Sequence, residues 1–71
     1  MWFNYTITDF TTFESDAVAL EVDEHEVRIY GVRLANDVLK AMPELTNMGV
    51  CVVVYDNDEQ PVSIVPLDSI Q

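Results

Sequence analysis

Six consecutive residues, Val50-Cys51-Val52-Val53-Val54-Tyr55, are apolar in a chain of 71. A half-buried strand alternates apolar and polar residues, so an unbroken run of this length reads as a strand covered on both faces, with Gly49 marking its start. Such a strand belongs in the middle of a sheet. A chain this short makes one small domain over residues 1–71 with a marginal core, and it has little left with which to cover two sheet faces.

The other segments follow from periodicity. Residues 2–8 alternate, with Phe3, Tyr5 and Ile7 on one side and Asn4, Thr6 and Thr8 on the other, which predicts a strand. A link holding Phe10 and Phe13 has no clear pattern. Ala17 to Val22 puts Val18, Leu20 and Val22 on one face, and Val27 and Ile29 do the same after Asp23-Glu24-His25-Glu26. This predicts a hairpin that sets Glu21 opposite Arg28. Gly31 ends the strand, and Leu34, Val38, Met42 and Leu45, widened by Ala35 and Leu39, recur at helical spacing. Pro43 predicts a helix end near Ala41, with Pro43-Glu44-Leu45 as one further turn. Asp56 to Gln60 is a turn cluster, and Val62 to Val65 form a last, edge strand between Pro61 and Pro66. The expected fold is α+β, a mostly antiparallel sheet of about five strands in the order β-β-β-α-β-β with one helix on one face.

One helix leaves the second face open. Pairing Val54 with Val62 and Val52 with Ile64 toward the helix puts Cys51, Val53, Tyr55 and Val65 on the other face, joined by Ala19 and Tyr30. Apolar patches of this kind mark interfaces, and Trp2, Tyr30, Val53 and Tyr55 are the expected apolar contact residues. A homodimer through this face or an edge strand is one arrangement that would use them. The plain alternative is that Trp2, Phe10, Phe13 and the tail Leu67-Asp68-Ser69-Ile70 fold back across it.

Thirteen carboxylates stand against three basic side chains, a net charge of −10 whose self-repulsion costs stability. Disordered acidic chains lack aromatic and β-branched residues, whereas this one is 49% apolar and is expected to fold. The acid is clustered, with Glu21, Asp23, Glu24 and Glu26 around one turn, Asp56, Asp58 and Glu59 around another, and Asp9, Glu14 and Asp16 along the first connection. If the groups share a face, they would offer an array of negative charge like the phosphates that basic grooves recognise. The first two groups are therefore the expected partner-binding residues. Against this stands the ordinary tendency of turns to collect polar residues.

Several classes are disfavoured. A single cysteine excludes an internal disulfide and fits a reducing compartment, so a cytoplasmic location is expected, that of the host for a phage-encoded chain. The start Met1-Trp2-Phe3-Asn4-Tyr5 lacks the features of a signal peptide, and no stretch approaches the roughly 20 apolar residues of a membrane span. The expectation is a soluble, unprocessed chain with no membrane role. Asp56-Asn57-Asp58-Glu59 begins like a calcium loop, but Gln60, Pro61 and Leu67 stand where that loop needs an oxygen ligand, glycine and glutamate. No metal or cofactor is expected. His25, between Glu24 and Glu26, reads as a surface residue or a pH-sensitive contact. One histidine and one cysteine inside an apolar run supply no nucleophile with its base, there is no glycine-rich phosphate loop, and the charge opposes direct nucleic-acid binding. A non-enzyme is expected.

These readings converge on a small acidic binding protein that occupies a positively charged, nucleic-acid-binding site on a partner protein and inhibits it. In size and charge the chain resembles the small acidic inhibitors of bacteriophages and mobile elements, including anti-restriction and anti-CRISPR proteins. That resemblance implies a decoy or DNA mimic and carries over no particular residue. Two alternatives share the composition, namely an antitoxin or immunity protein for a basic toxin, and an oligomerising structural subunit of a salt-adapted organism.

Overall fold

The computed structural model describes the backbone of residues 1–70 and the side chains of residues 1–68. Strands β1 (Trp2–Thr8), β2 (Val18–Glu21), β3 (Cys51–Tyr55) and β4 (Pro61–Pro66) form one sheet in the order β2-β1-β3-β4, each neighbouring pair antiparallel. Helix α1 (Val27–Ala41) packs mainly on β3 and β4, and short 3-10 turns follow at Pro43–Leu45 and Leu67–Ile70. The fold is thus α+β, and the apolar run is central, with Val52, Val53 and Val54 almost wholly buried. Burying each valine stabilises the fold by about 1.5–3 kcal/mol relative to leaving it exposed.

The sheet has four strands where sequence periodicity suggests about five. Val27 and Ile29, expected in a strand, lie in the first turn of α1. Asp23 ends β-type backbone here: its carboxylate accepts the His25 N–H at 3.0 Å and opens a 3-10 turn, Glu24–Glu26, that leads into the helix. Glu24 and Glu26 sit beside the positive end of the helix dipole. The helical stripe runs further back than Leu34, through Gly31 and Val27, both buried, while Ile29 faces outward and is exposed. Gly31 therefore does not break an element. A Cβ at this position would lie 3.2 Å from Val65 Cγ2, so glycine is what allows the helix its close approach to the sheet.

The hairpin partner of β2 is β1. Glu21 stands opposite Trp2, and the expected cross-strand pairing with Arg28 is replaced because Arg28 belongs to α1. The link without a clear pattern is the hairpin turn. Asp9 Oδ1 accepts the N–H groups of Thr11, Thr12 and Phe13 at 2.9, 2.7 and 3.1 Å, and Oδ2 accepts the Thr12 hydroxyl. Four donors on one carboxylate hold its pKa far below the ordinary range, the Thr12 hydroxyl being the largest cause. Phe10 takes up a left-handed φ of 67° to make the reversal.

Between β3 and β4 the register shifts by one residue at a bulge near Val54 and Tyr55. Val54 faces Ser63, Val52 faces Val65 and Val53 faces Ile64, in place of the expected Val54–Val62 and Val52–Ile64 pairs. The slip moves Val65 to the helix side and Ile64 to the open side. Leu67 then closes the core, its N–H donating to the Val50 carbonyl at 2.9 Å, and Asp68 accepts the Asn47 N–H at 2.8 Å.

Candidate partner-binding surface

Strand directions decide where the acid gathers. β1 begins, and β2 and β3 end, at the same end of the sheet, so the β2–α1 turn and the β3–β4 turn meet there with the N-terminus. Glu21, Asp23, Glu24 and Glu26 are thereby brought to one end with Asp56, Asp58 and Glu59. A hollow of about 390 Å³ between the two turns is lined by Glu24, His25 and Arg28 on one side and Asp56 on the other. The third group, Asp9, Glu14 and Asp16, lies at the opposite end.

Not every one of these carboxylates is available to a partner. Asp56 accepts the N–H groups of Asp58 and Gln60, both at 2.9 Å, and so builds its own turn. Asp23 performs the same service for His25. Glu21, Glu24, Glu26, Asp58 and Glu59 remain exposed and project from turn or edge positions. Glu59 sits in left-handed backbone with φ 62°, a conformation that disfavours a glutamate.

The cations are confined to one element. All three, Arg28, Arg33 and Lys40, lie on α1, which contains a single carboxylate, Asp37; Arg28, in the first turn, lines the hollow between the two acidic turns, and Arg33 and Lys40 follow farther along the helix.

The sheet face turned away from α1 carries Trp2, Asn4, Thr6 and Thr8 from β1, Ala19 and Glu21 from β2, Cys51, Val53 and Tyr55 from β3, and Ile64 from β4. Of the expected apolar contact residues, Trp2, Val53 and Tyr55 share this face, while Tyr30 belongs to α1 and packs against the helix-side core. Trp2 is 54% exposed, whereas Val53 is only 1% exposed, walled in by its neighbours, so it forms floor rather than contact surface. Phe10 and Phe13 are exposed at the far end, and Leu67 lies in the helix-side core; the side chains of Ser69 and Ile70 are outside the described residues. Cys51 is buried, with its pKa raised by burial and then by nearby Asp68, so its thiol stays protonated at neutral pH. His25 stands at the acidic end of the sheet and Cys51 at the other.

Two polar residues of this face were not singled out by sequence reasoning. Thr8 is satisfied, its hydroxyl donating to the Phe13 carbonyl at 2.7 Å and accepting the Phe10 N–H at 2.9 Å. Thr6 is 6% exposed, and its Oγ1, itself sealed from solvent, has no hydrogen-bond partner among the described residues. It lines a second hollow, of about 320 Å³, with Asn4, Ala17, Tyr55 and Glu59. The alternation in residues 2–8 marks Asn4 and Thr6 as polar, which reads as ordinary solvent exposure until the strand is known to lie inside the sheet.

Comparisons with family models, with curated proteins and with solved structures find no match for this chain. No helix is long and apolar enough to cross a membrane among the described residues.

Proposed function

We propose that this chain is a binding protein that occupies a positively charged, nucleic-acid-binding site on a partner protein and so inhibits it, acting in a reducing compartment such as the cytoplasm. The observation that carries the reading is the gathering of acid: seven carboxylates meet at one end of the sheet, where the cation lining the hollow between the turns is Arg28. A basic groove evolved to hold phosphates would be drawn to that end over several ångströms, and association would be fast at low salt. An acidic surface imposed by salt adaptation needs no such gathering, which favours the partner reading over a structural subunit. Self-association by this end is opposed by like charge.

The test is capture from host lysate by the wild-type chain and by a variant with Glu21, Glu24, Glu26, Asp58 and Glu59 changed to glutamine. Asp23 and Asp56 are retained because they build their turns. The reading expects one nucleic-acid-binding partner, held by the wild type alone and displaced both by high salt and by excess duplex DNA. A partner retained equally by the variant, or undisturbed by DNA, overturns it. A secreted or basic toxin as the sole captured species would instead favour the antitoxin or immunity reading.

A further inference from the structure

We infer that the free edge of β2 takes a basic, extended segment of the partner as a fifth strand of the sheet, an inference that rests on the proposed cationic partner. β2 is the outermost strand on its side. Met1 and Val22 exchange backbone hydrogen bonds at 3.3 and 3.0 Å, and this fixes the alternation of the ladder. Val18, Leu20 and Val22 turn their backbone groups toward β1, so Ala19 and Glu21 turn theirs outward. Each of these two residues thus offers an N–H donor and a carbonyl acceptor along an edge that α1, packed on β3 and β4, does not cover. Ala17, Val18, Ala19 and Glu21 are exposed, and the small alanine side chains leave the approach of another backbone unobstructed.

What guards this edge identifies the guest. Sheet edges are commonly closed to other strands by proline, lysine or a bulge. β4 has two prolines and a register shift against β3, whereas β2 has no proline or lysine and its register with β1 is unshifted. Its guard is acid. Glu21 lies on the strand, Glu14 and Asp16 precede it, and residues 1–27 contain no lysine or arginine. Negative charge turns away another copy of this chain, which carries a net charge of −10, and draws in a cationic segment. The register also sets the pattern of the guest. Its residues opposite Ala19 and Glu21 fall on the open sheet face, where a cation pairs with Glu21. The residue between them falls on the helix side, beside the core residue Leu20 and the exposed Val18, where an apolar side chain fits. Alternating basic and apolar residues meet both requirements.

Amide hydrogen exchange, read by NMR, tests the edge with an end-capped peptide of alternating lysine and valine. Its control is the same peptide methylated at every backbone nitrogen, which keeps the charge and removes the donors a strand needs. The Ala19 and Glu21 amides, exchanging freely in the protein alone, should slow tenfold or more at saturating peptide, and the methylated peptide should bind at least tenfold more weakly. Ala19→Pro, whose lost N–H serves no bond within the sheet, should weaken the unmodified peptide to a similar degree. Equal binding of both peptides to the wild type, without protection of Ala19 and Glu21, would overturn strand addition and leave the cationic-partner reading standing. Protection of Val62 and Ile64 on β4 instead would overturn the choice of edge. A peptide of alternating glutamate and valine that protects β2 as strongly would overturn the selection by charge. Binding of neither lysine peptide would count against both strand addition and the cationic partner.

Discussion

Thr6, Glu59 and Asp9 show how differently single polar residues contribute to this protein. The Thr6 hydroxyl is buried and has no partner among the described residues, so Thr6→Val should raise stability by about 1–2 kcal/mol, read as a higher urea midpoint at unchanged slope. Glu59→Gly should stabilise by about 0.5–1 kcal/mol through relief of its left-handed backbone, measured by thermal unfolding, while weakening partner capture. A residue whose removal improves the fold but harms binding serves function rather than structure. Asp9 is the opposite case, a carboxylate fully engaged in its own turn. Folding lowers its pKa, so its contribution is complete at neutral pH, above the unfolded-state value. That contribution is lost as pH falls below the ordinary carboxylate range and toward the depressed folded value. Asp9→Ala should therefore lower stability at pH 7 and flatten the acid limb of the stability–pH curve. An unchanged acid limb would mean that other carboxylates govern acid unfolding.

At the level of elements, the contest over residues 23–31 decided the fold. Val27 and Ile29 are β-branched and alternate, which favours a strand locally, yet the segment is helical because Val27 and Gly31 continue the stripe that buries Ala35 against the sheet. Gly31 is the contact point of that packing. Gly31→Leu should cost about 2–3 kcal/mol by driving α1 away from Val65, Ser63 and Val54, with a loss of near-ultraviolet signal preceding loss of helicity on heating. The sheet edges are guarded in different ways. β4 is bracketed by Pro61 and Pro66, which lack N–H donors, and β2 is four residues long with Glu21 at its end and Asp16 and Asp23 near by. Both devices discourage pairing between copies of the chain, whereas the acid at the β2 edge would not repel a basic segment.

For the whole molecule, the charge is a liability that the environment or a partner relieves. With a net charge of −10 and cations restricted to α1, raising sodium chloride from 10 to 150 mM should raise the melting temperature of the free protein by several degrees, as repulsion among the carboxylates is screened over about 8 Å. The same change should slow association with a basic partner. Opposite responses of stability and association rate to one variable would identify the acid as a binding device. A melting temperature indifferent to salt would show instead that the fold tolerates its charge without strain.

Sequence alone determined the α+β class, the central place of Val50–Tyr55, the helix end at Ala41 and the turn after it, and the edge strand between two prolines. These follow from local rules: unbroken apolar runs, proline chemistry and helical spacing act within a few residues of one another. Tertiary structure alone decided the rest. Whether Val27 and Ile29 join a strand or a helix depends on what Gly31 packs against, and the side to which Val65 and Ile64 point depends on a one-residue bulge. The meeting of the two acidic turns, and the joining of Asn4 and Thr6 to Tyr55 and Glu59, depend on strand order and direction. Strand order is set by how distant segments bury one another, a sum over the whole core that no local window contains.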